Sequence, residues 1–165
     1  MAVKDFHIFH GVVLARLLRN ERPVSLRLIE TKPSESWSTY TLNDAIDLFV
    51  AHSTSAREYE RDGGGHSWTF SLSPNQVRQI RPDRHVRDVY VALVCATRDV
   101  LAQPMVVCVL SPDQTADLFD GPVSVAQSIT VRKPAGKGRL RVMKDRYERY
   151  KIAESFLDDW DIPGS

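Results

Sequence analysis

The sequence predicts an α+β protein, a single domain in which one central mixed, largely antiparallel β-sheet is flanked by about four helices. Strand-like segments follow one another in pairs, as in hairpins, and helical segments are interspersed among them. The chain has 165 residues, of which 42% are hydrophobic and 26% charged. This size and composition are typical of one globular domain, residues 1–165, that folds without disulfide or metal support.

The first segments predict a helix, a strand and a hairpin. Hydrophobic residues between Val12 and Leu18 fall at helical spacing, and the segment from Asn20 to Pro23 ends this helix. Residues Val24 to Glu30 alternate in polarity, which predicts a strand. Two β-rich or apolar runs then flank Asn43-Asp44, a pair typical of a tight turn, and predict a hairpin: Trp37 to Leu42 and Ile46 to His52.

Residues 54–66 are charged and end in Gly63-Gly64-Gly65, which predicts a flexible surface loop. Directly after this loop, Trp68, Phe70 and Leu72 alternate with polar residues. This alternation predicts another strand with its apolar side chains turned inward.

The pattern L-S-P-x-Q occurs twice, at 72–76 and 110–114. Serine at the N-cap, proline at the first helical position and glutamine at the third form a capping box with a preset φ. We therefore expect helices that begin at Pro74 and Pro112, the first ending before Pro82 and the second near Gly121. The repeat is explained either by an internal β-α duplication or by chance recurrence of favourable capping chemistry.

Two runs that are apolar on both faces, Asp88 to Cys95 and Met105 to Leu110, predict central strands. A hairpin between them would place Cys95 and Cys108 about opposite each other as reduced core thiols. The last predicted hairpin joins Ser128–Arg132 to Arg139–Met143.

The C-terminal segment from Asp145 to Trp160 has apolar residues at positions that predict a final helix, and residues 162–165 predict a frayed tail. The expected core comprises Leu14, Leu17, Leu18, Leu28, Leu48, Val50, Phe70, Val91, Leu93, Cys95, Val107, Val109, Leu118 and Ile129.

The sequence has no apolar run of about 18 residues, the length that spans a membrane. The segment from Met1 to His10 lacks the apolar stretch of a secretory signal, and both cysteines lie inside apolar runs. We therefore expect a cytoplasmic protein without a membrane partner.

Basic residues concentrate near the C-terminus, although the whole chain has a net charge of only +1. The segment from Arg132 to Lys151 contains nine basic and two acidic residues. Arginine and lysine on one surface bind phosphates, and Arg139 and Arg141 share one face of a strand. This pattern predicts a non-catalytic module that binds nucleic acid through a basic C-terminal hairpin and helix, with these candidate residues: Arg132, Lys133, Lys137, Arg139, Arg141 and Lys144.

Arginines also recur every three residues at Arg78, Arg81, Arg84 and Arg87, so Arg78 and Arg81 join the candidate nucleic-acid-binding residues. The basic C-terminal segment is also compatible with two different roles. Its charges can serve as a solvated, aggregation-resistant strand edge paired with acids further along the chain, or they can bind an acidic protein.

The tripeptide Glu30-Thr31-Lys32 ends an apolar strand, and in this setting it resembles the Glu-x-Lys of nucleases with a PD-(D/E)XK core. The resemblance implies a Mg²⁺-dependent nuclease in which the Glu30 carboxylate binds the metal and Lys32 polarises the attacking water or the phosphate. The order α-β-β-β-α-β of that family also fits the predicted elements. The sequence departs from the family because no suitable carboxylate precedes Glu30 and the strand Ile46 to His52 has no Glu-x-Lys. A degenerate version of such a fold, which binds without cleaving, is therefore a further alternative.

Other catalytic patterns are missing from the sequence, including G-x-S-x-G, a phosphate-binding glycine loop and a set of three or four zinc ligands. We therefore expect no metal and no cofactor, except Mg²⁺ under the nuclease alternative. A further alternative is a protein–protein adaptor or a subunit of a larger complex whose contacts are exposed aromatic residues: Trp37, Tyr147, Tyr150 and Trp160.

Overall fold

A computed structural model describes residues 5–19, 23–32, 37–81, 85–97, 105–136 and 138–164. The helices are α1 (Asp5–Leu18), α2 (Pro74–Ile80), α3 (Pro112–Leu118) and α4 (Phe156–Asp159). The strands are β1 (Leu26–Lys32), β2 (Trp37–Leu42), β3 (Ile46–Ser53), β4 (Arg57–Tyr59), β5 (Gly65–Leu72), β6 (Asp88–Cys95), β7 (Val106–Leu110), β8 (Gln127–Pro134), β9 (Arg139–Lys144) and β10 (Tyr147–Ala153). A short 3-10 turn, Arg61–Gly63, lies between β4 and β5.

The strands form two five-stranded sheets, which we call sheet A (order β1-β2-β3-β6-β7) and sheet B (order β10-β9-β8-β5-β4). Among the strands of the described residues, β3 and β6 alone pair in parallel, so the predicted α+β, largely antiparallel fold is confirmed. The prediction of one central sheet was wrong. After β3 the chain leaves sheet A to form β4 and β5, returns for β6 and β7, and leaves again for β8 to β10, so sequence neighbours belong to different sheets.

One hydrophobic core lies between the two sheets, and a second lies between sheet A and helices α1 and α4. Phe49 and Leu93 of sheet A meet Phe70 and Val131 of sheet B in the first core, which also contains residues of α2 and α3. The second core contains Val13 of α1 and residues of the opposite face of sheet A and of α4. Sheet A is thus covered on both faces, whereas sheet B has one face in the core and one face outward.

Both predicted capping boxes are confirmed. In α2 the Ser73 hydroxyl accepts from the Gln76 amide, and the Gln76 side chain accepts from the Ser73 amide at 2.8 Å. In α3 Ser111 and Gln114 make the same pair of bonds at 3.2 and 3.0 Å. The capping serine satisfies a backbone amide of the first helical turn that would otherwise lack a partner. Each helix can therefore begin directly after a strand.

We expect Ser73→Ala and Ser111→Ala each to lower the free energy of unfolding by about 1 kcal/mol, the usual value of an N-cap. Urea denaturation followed by circular dichroism measures this. Ser128→Ala, which removes an exposed strand serine, is the matched control and should change stability by only a few tenths of a kcal/mol. Equal losses in the cap variants and the control would contradict the expected role of the caps.

The predicted C-terminal helix from Asp145 to Trp160 was wrong, because this segment forms β10 and only a short helix, α4. Asp145 and Arg146 have φ of 50° and 71° and make a tight turn that folds β10 back onto β9. Tyr150 and Ile152 then face the core as strand residues.

The segment 54–66, predicted as a loop, contains β4, the 3-10 turn and the start of β5. Within the predicted tail, Ile162 is only 3% exposed and packs in the second core. The turn at Asn43 and Asp44 is confirmed, and both residues have a φ of 52°.

Most of the predicted core residues are buried, but Leu18 and Leu28 are 64% and 54% exposed and Leu14 is half-buried. Cys95 and Cys108 are free and buried, as expected. Cys108 pairs with Leu93 rather than with Cys95, so the two cysteines are diagonal neighbours. Burial raises the pKa of the Cys108 thiol to about 12, which keeps it protonated and unreactive.

Candidate nucleic-acid interface

The outward face of sheet B is the surface on which most of the sequence-predicted strand arginines converge. Trp68, Phe70, Val131 and Val142 point into the core between the sheets. Because side chains alternate along a strand, their neighbours point to the opposite face. That face presents mainly hydroxyl and basic side chains.

Strand register places four basic residues in one line across this face. Arg57 of β4 pairs with Ser67 of β5, and Ser67 pairs with Arg132 of β8. Arg132 pairs with Arg141 of β9, which pairs with Lys151 of β10. We call Arg57, Arg132, Arg141 and Lys151 the basic row. It crosses all five strands of sheet B, perpendicular to their direction.

Most of the basic row keeps its charge available to a ligand. Arg57 and Lys151 are exposed, and neither forms an ion pair with another residue in the described part of the chain. Arg132 lies over the Tyr59 ring, 5.2 Å from its centroid. Arg141 contacts Glu148 at 3.3 Å, with both side chains about a third exposed, and such surface pairs contribute little stability.

Tyr59 lies at one end of the face, where a glycine lets its ring approach the sheet. Tyr59 pairs with Gly65, and a Cβ atom at Gly65 would meet the Tyr59 hydroxyl at 2.8 Å and would collide with the Lys133 carbonyl oxygen. Gly65 also has a φ of 153°, which side chains rarely adopt. Position 65 therefore requires glycine. We call the Tyr59 ring, with the Arg132 guanidinium over it, the Tyr59–Arg132 platform.

A concavity of about 350 Å³ lies at the other end of the face. Three basic side chains contribute to its wall, Arg139, Arg141 and Lys151, together with Pro134 and the glycines of the β8–β9 turn. Arg139 is exposed, and none of the described residues forms an ion pair with it. Three cations around one concavity favour an anionic group there.

The other candidate residues lie away from the basic row. Lys133 points to the opposite face and contacts Glu154 at 3.3 Å. Lys144 donates to the Leu118 carbonyl and to Asp120, so it secures the end of α3. The side chain of Lys137 lies outside the described residues.

We call the arginines at positions 78, 81, 84 and 87 the arginine ladder, and its described members do not form one surface. Arg81 donates to the Phe119 and Gly121 carbonyls at 2.7 and 3.1 Å and links the ends of α2 and α3. Arg78 is exposed on α2, Arg87 donates to the Asp44 carbonyl, and Arg84 lies outside the described residues. Arg78 and Arg81 are therefore separated from the basic row.

The acids that follow the basic segment pair with it only in part, since Glu154 contacts Lys133 but Asp158 pairs outside the segment. Asp158 pairs with Arg16 of α1 at 2.9 Å, whereas Asp117 binds Arg149 at 2.6 Å and accepts from the Tyr150 hydroxyl at 2.7 Å. The bond from Tyr150, assisted by Arg149, lowers the pKa of Asp117 below its ordinary value. Arg149 is thus held at α3 and is separate from the outward face.

Arg57, Tyr59 and Lys151 are not among the sequence-predicted site residues, because the sequence predicts a loop at 54–66 and a helix at Lys151. The short alternation Arg57-Glu58-Tyr59 was the available signal for a strand with two ligand-binding side chains on one face. Its three residues are too few to stand out in the sequence alone.

Glu30 lies on β1, at the edge of sheet A, opposite Thr39. The next carboxylate inward is Asp47 on β3, which accepts from Thr41 at 2.9 Å. The side chain of Lys32 lies outside the described residues. Within the described ranges, no group of three or more histidine, cysteine, aspartate or glutamate residues is placed to hold a metal ion.

A second polar cluster is buried between α1 and sheet A. His10 Nδ1 lies 2.8 Å from Ser38 Oγ, and His52 Nδ1 lies 3.3 Å from His10 Nε2. Ser38 is fully buried and His10 is 2% exposed. This arrangement resembles a nucleophile with its base, but the burial of Ser38 leaves its hydroxyl no access to a substrate.

The aromatic residues proposed as adaptor contacts are mostly not exposed. Trp37 and Trp160 are buried, and Tyr150 is half-buried with its hydroxyl bound to Asp117. Tyr147 alone of the four is exposed, at 74%.

Comparisons of the chain with protein families, with curated proteins and with solved structures find no match. In the described residues, no helix has the length and apolar character needed to cross a membrane.

Proposed function

We propose that this protein binds nucleic acid through the outward face of sheet B and does so without catalysis. The observation that carries the proposal is the register that aligns Arg57, Arg132, Arg141 and Lys151 across five strands. A row of cations on one open face matches the repeating charge of a phosphate backbone. Arg139 extends this positive surface at the concavity.

The composition of the face also supports a nucleic acid over an acidic protein. Hydroxyl side chains surround the row, and Thr69 Oγ1 lies 3.3 Å from Thr130 Oγ1 on neighbouring strands. Serine and threonine hydroxyls commonly contact phosphate and sugar oxygens. The Tyr59–Arg132 platform adds a flat surface on which a base can stack.

The test is a fluorescence anisotropy titration of labelled oligonucleotides at salt concentrations between roughly 50 and 400 mM. Each neutralised phosphate of a single strand contributes about −0.7 to the slope of log affinity against log salt, so four or five cations predict a slope of about −3. Absence of binding at the lowest salt, or affinity that does not change with salt, would contradict the proposal.

Cleavage of nucleic acid by Glu30 and Lys32 with Mg²⁺ remains a separate prediction. Incubating plasmid DNA with Mg²⁺ and the protein tests it, because Glu30→Ala should abolish any cleavage that this residue supports. Cleavage that persists in the variant would exclude Glu30 as the metal ligand.

A further inference from the structure

The geometry points to a single-stranded nucleic acid as the ligand of the outward face of sheet B, with the strand following the basic row from the Tyr59–Arg132 platform to the concavity lined by Arg139, Arg141 and Lys151. This inference rests on the proposed function and specifies the ligand class of the same site.

The width of the sheet argues against the grooves of a duplex. Arg57 and Lys151 are separated by four inter-strand spacings, which amounts to about 19 Å at roughly 4.8 Å per spacing. The major groove of DNA is about 12 Å wide and admits a helix or a two-stranded ribbon. A five-stranded sheet is too wide to enter it, so the row cannot follow duplex phosphates from within a groove.

A single strand has no such restriction, because it can lie across the strands of the sheet. At about 3.4 Å per nucleotide in a stacked strand, the row spans about five to six nucleotides. Along this line the protein presents a cation on four of the five strands, and Ser67 of β5 is the one uncharged position.

The Tyr59–Arg132 platform also favours a single strand over a duplex. Stacking on an aromatic ring or on a guanidinium plane requires a base that has left its own stack, which single strands supply readily. The Tyr59 ring is half-buried against Gly65, and Arg132 covers it from outside. An incoming base would therefore stack on the outer face of the Arg132 guanidinium, which the Tyr59 ring supports from beneath.

The experiment compares a 12-nucleotide single strand, as DNA and as RNA, with the blunt duplex of the same DNA sequence, in competition for the wild-type protein at 100 mM salt. We expect at least one of the single strands to bind more than about tenfold tighter than the duplex. The DNA and RNA arms identify which backbone is preferred.

The variant Tyr59→Leu should weaken single-strand binding by about 5-fold to 100-fold, the range for one stacked base, because the Arg132 guanidinium loses the ring that supports it under that base. The salt slope should not change, because no charge is removed. Tyr59→Phe should retain the affinity, which separates stacking from any folding defect. Tyr147→Leu, at an exposed tyrosine of β10, is the matched control and should bind as the wild type does.

A duplex that binds as tightly as the single strands, or a Tyr59→Leu variant with unchanged affinity, would overturn the inference and leave the proposed function standing. Absence of salt-dependent binding to all three oligonucleotides would overturn both.

Discussion

Replacing Arg57, Arg132 and Lys151 together by alanine is expected to weaken nucleic-acid binding about 100-fold at 100 mM salt. Each phosphate contact contributes about −0.7 to the slope of log affinity against log salt concentration. Lowering the salt tenfold, from roughly 1 M to 0.1 M, therefore raises the affinity about fivefold for each contact. The same variant should lower the magnitude of the slope by about 2. Arg141 is left in place because its contact with Glu148 belongs to the pairing of β9 with β10.

The matched control removes the same charge from other surfaces through Arg19→Ala, Arg27→Ala and Arg78→Ala. Arg19 directly follows α1 and Arg78 lies on α2, and both are exposed. The contact of Arg27 with Asp44, at 3.7 Å, is a surface contact. We expect this control to bind within about threefold of the wild type, because only long-range charge is lost and salt screens it. A control that loses as much affinity as the triple variant of the row would place the interface elsewhere, with the ladder residue Arg78 as the first candidate.

The sequence predictions that the structure confirms depend on residues that lie close together in the sequence. Ser73 with Gln76, and Ser111 with Gln114, lie within one helical turn, so their types alone predict where the helices begin. The turn at Asn43-Asp44 is predictable for the same reason, because these residue types tolerate positive φ.

The basic row could not be predicted in full because it depends on pairings between distant segments. Arg57 and Lys151 are 94 positions apart in the sequence, and they share a line only because β5, β8 and β9 pair between them in one register. A shift of one residue in the pairing of a strand would turn its basic side chain from the outward face towards the core. Sequence alternation establishes which face a residue shares within its own strand, so Arg139 and Arg141 were found together.

The C-terminal strand was assigned to a helix because an irregular pairing hides its alternation. The register between β10 and β9 shifts between Glu148 and Tyr150, and such a bulge breaks the period of two. The apolar residues that result, Tyr147, Tyr150 and later Leu157, have the spacing of a helix. The turn before them has positive φ at Asp145 and Arg146 but contains no glycine or asparagine to signal it.

The substitution Phe49→Ala is expected to lower the free energy of unfolding by about 3–5 kcal/mol, a large part of the usual stability of about 5–15 kcal/mol. Phe49 on β3 is fully buried between the sheets, and its ring stacks on Trp37 at 5.4 Å. Removing it leaves a cavity that the flanking strands cannot close, because both belong to hydrogen-bonded ladders. Urea denaturation followed by tryptophan fluorescence and by circular dichroism measures the loss.

Phe156→Ala is the matched control, since it makes the same chemical change at a half-buried position of α4 and should cost clearly less. Because the chain crosses between the sheets repeatedly and the Trp68 indole donates to the Ala96 carbonyl across them at 2.8 Å, both sheets should unfold in one transition. The fluorescence and circular dichroism curves of the wild type should therefore coincide, and those of Phe49→Ala should shift together. Two results would contradict this expectation: separate transitions of the two probes, or a loss of stability for Phe49→Ala no larger than for Phe156→Ala. Either would mean that the packing between the sheets does not hold the outward face of sheet B in place. The alignment of the basic row would then need another source of rigidity.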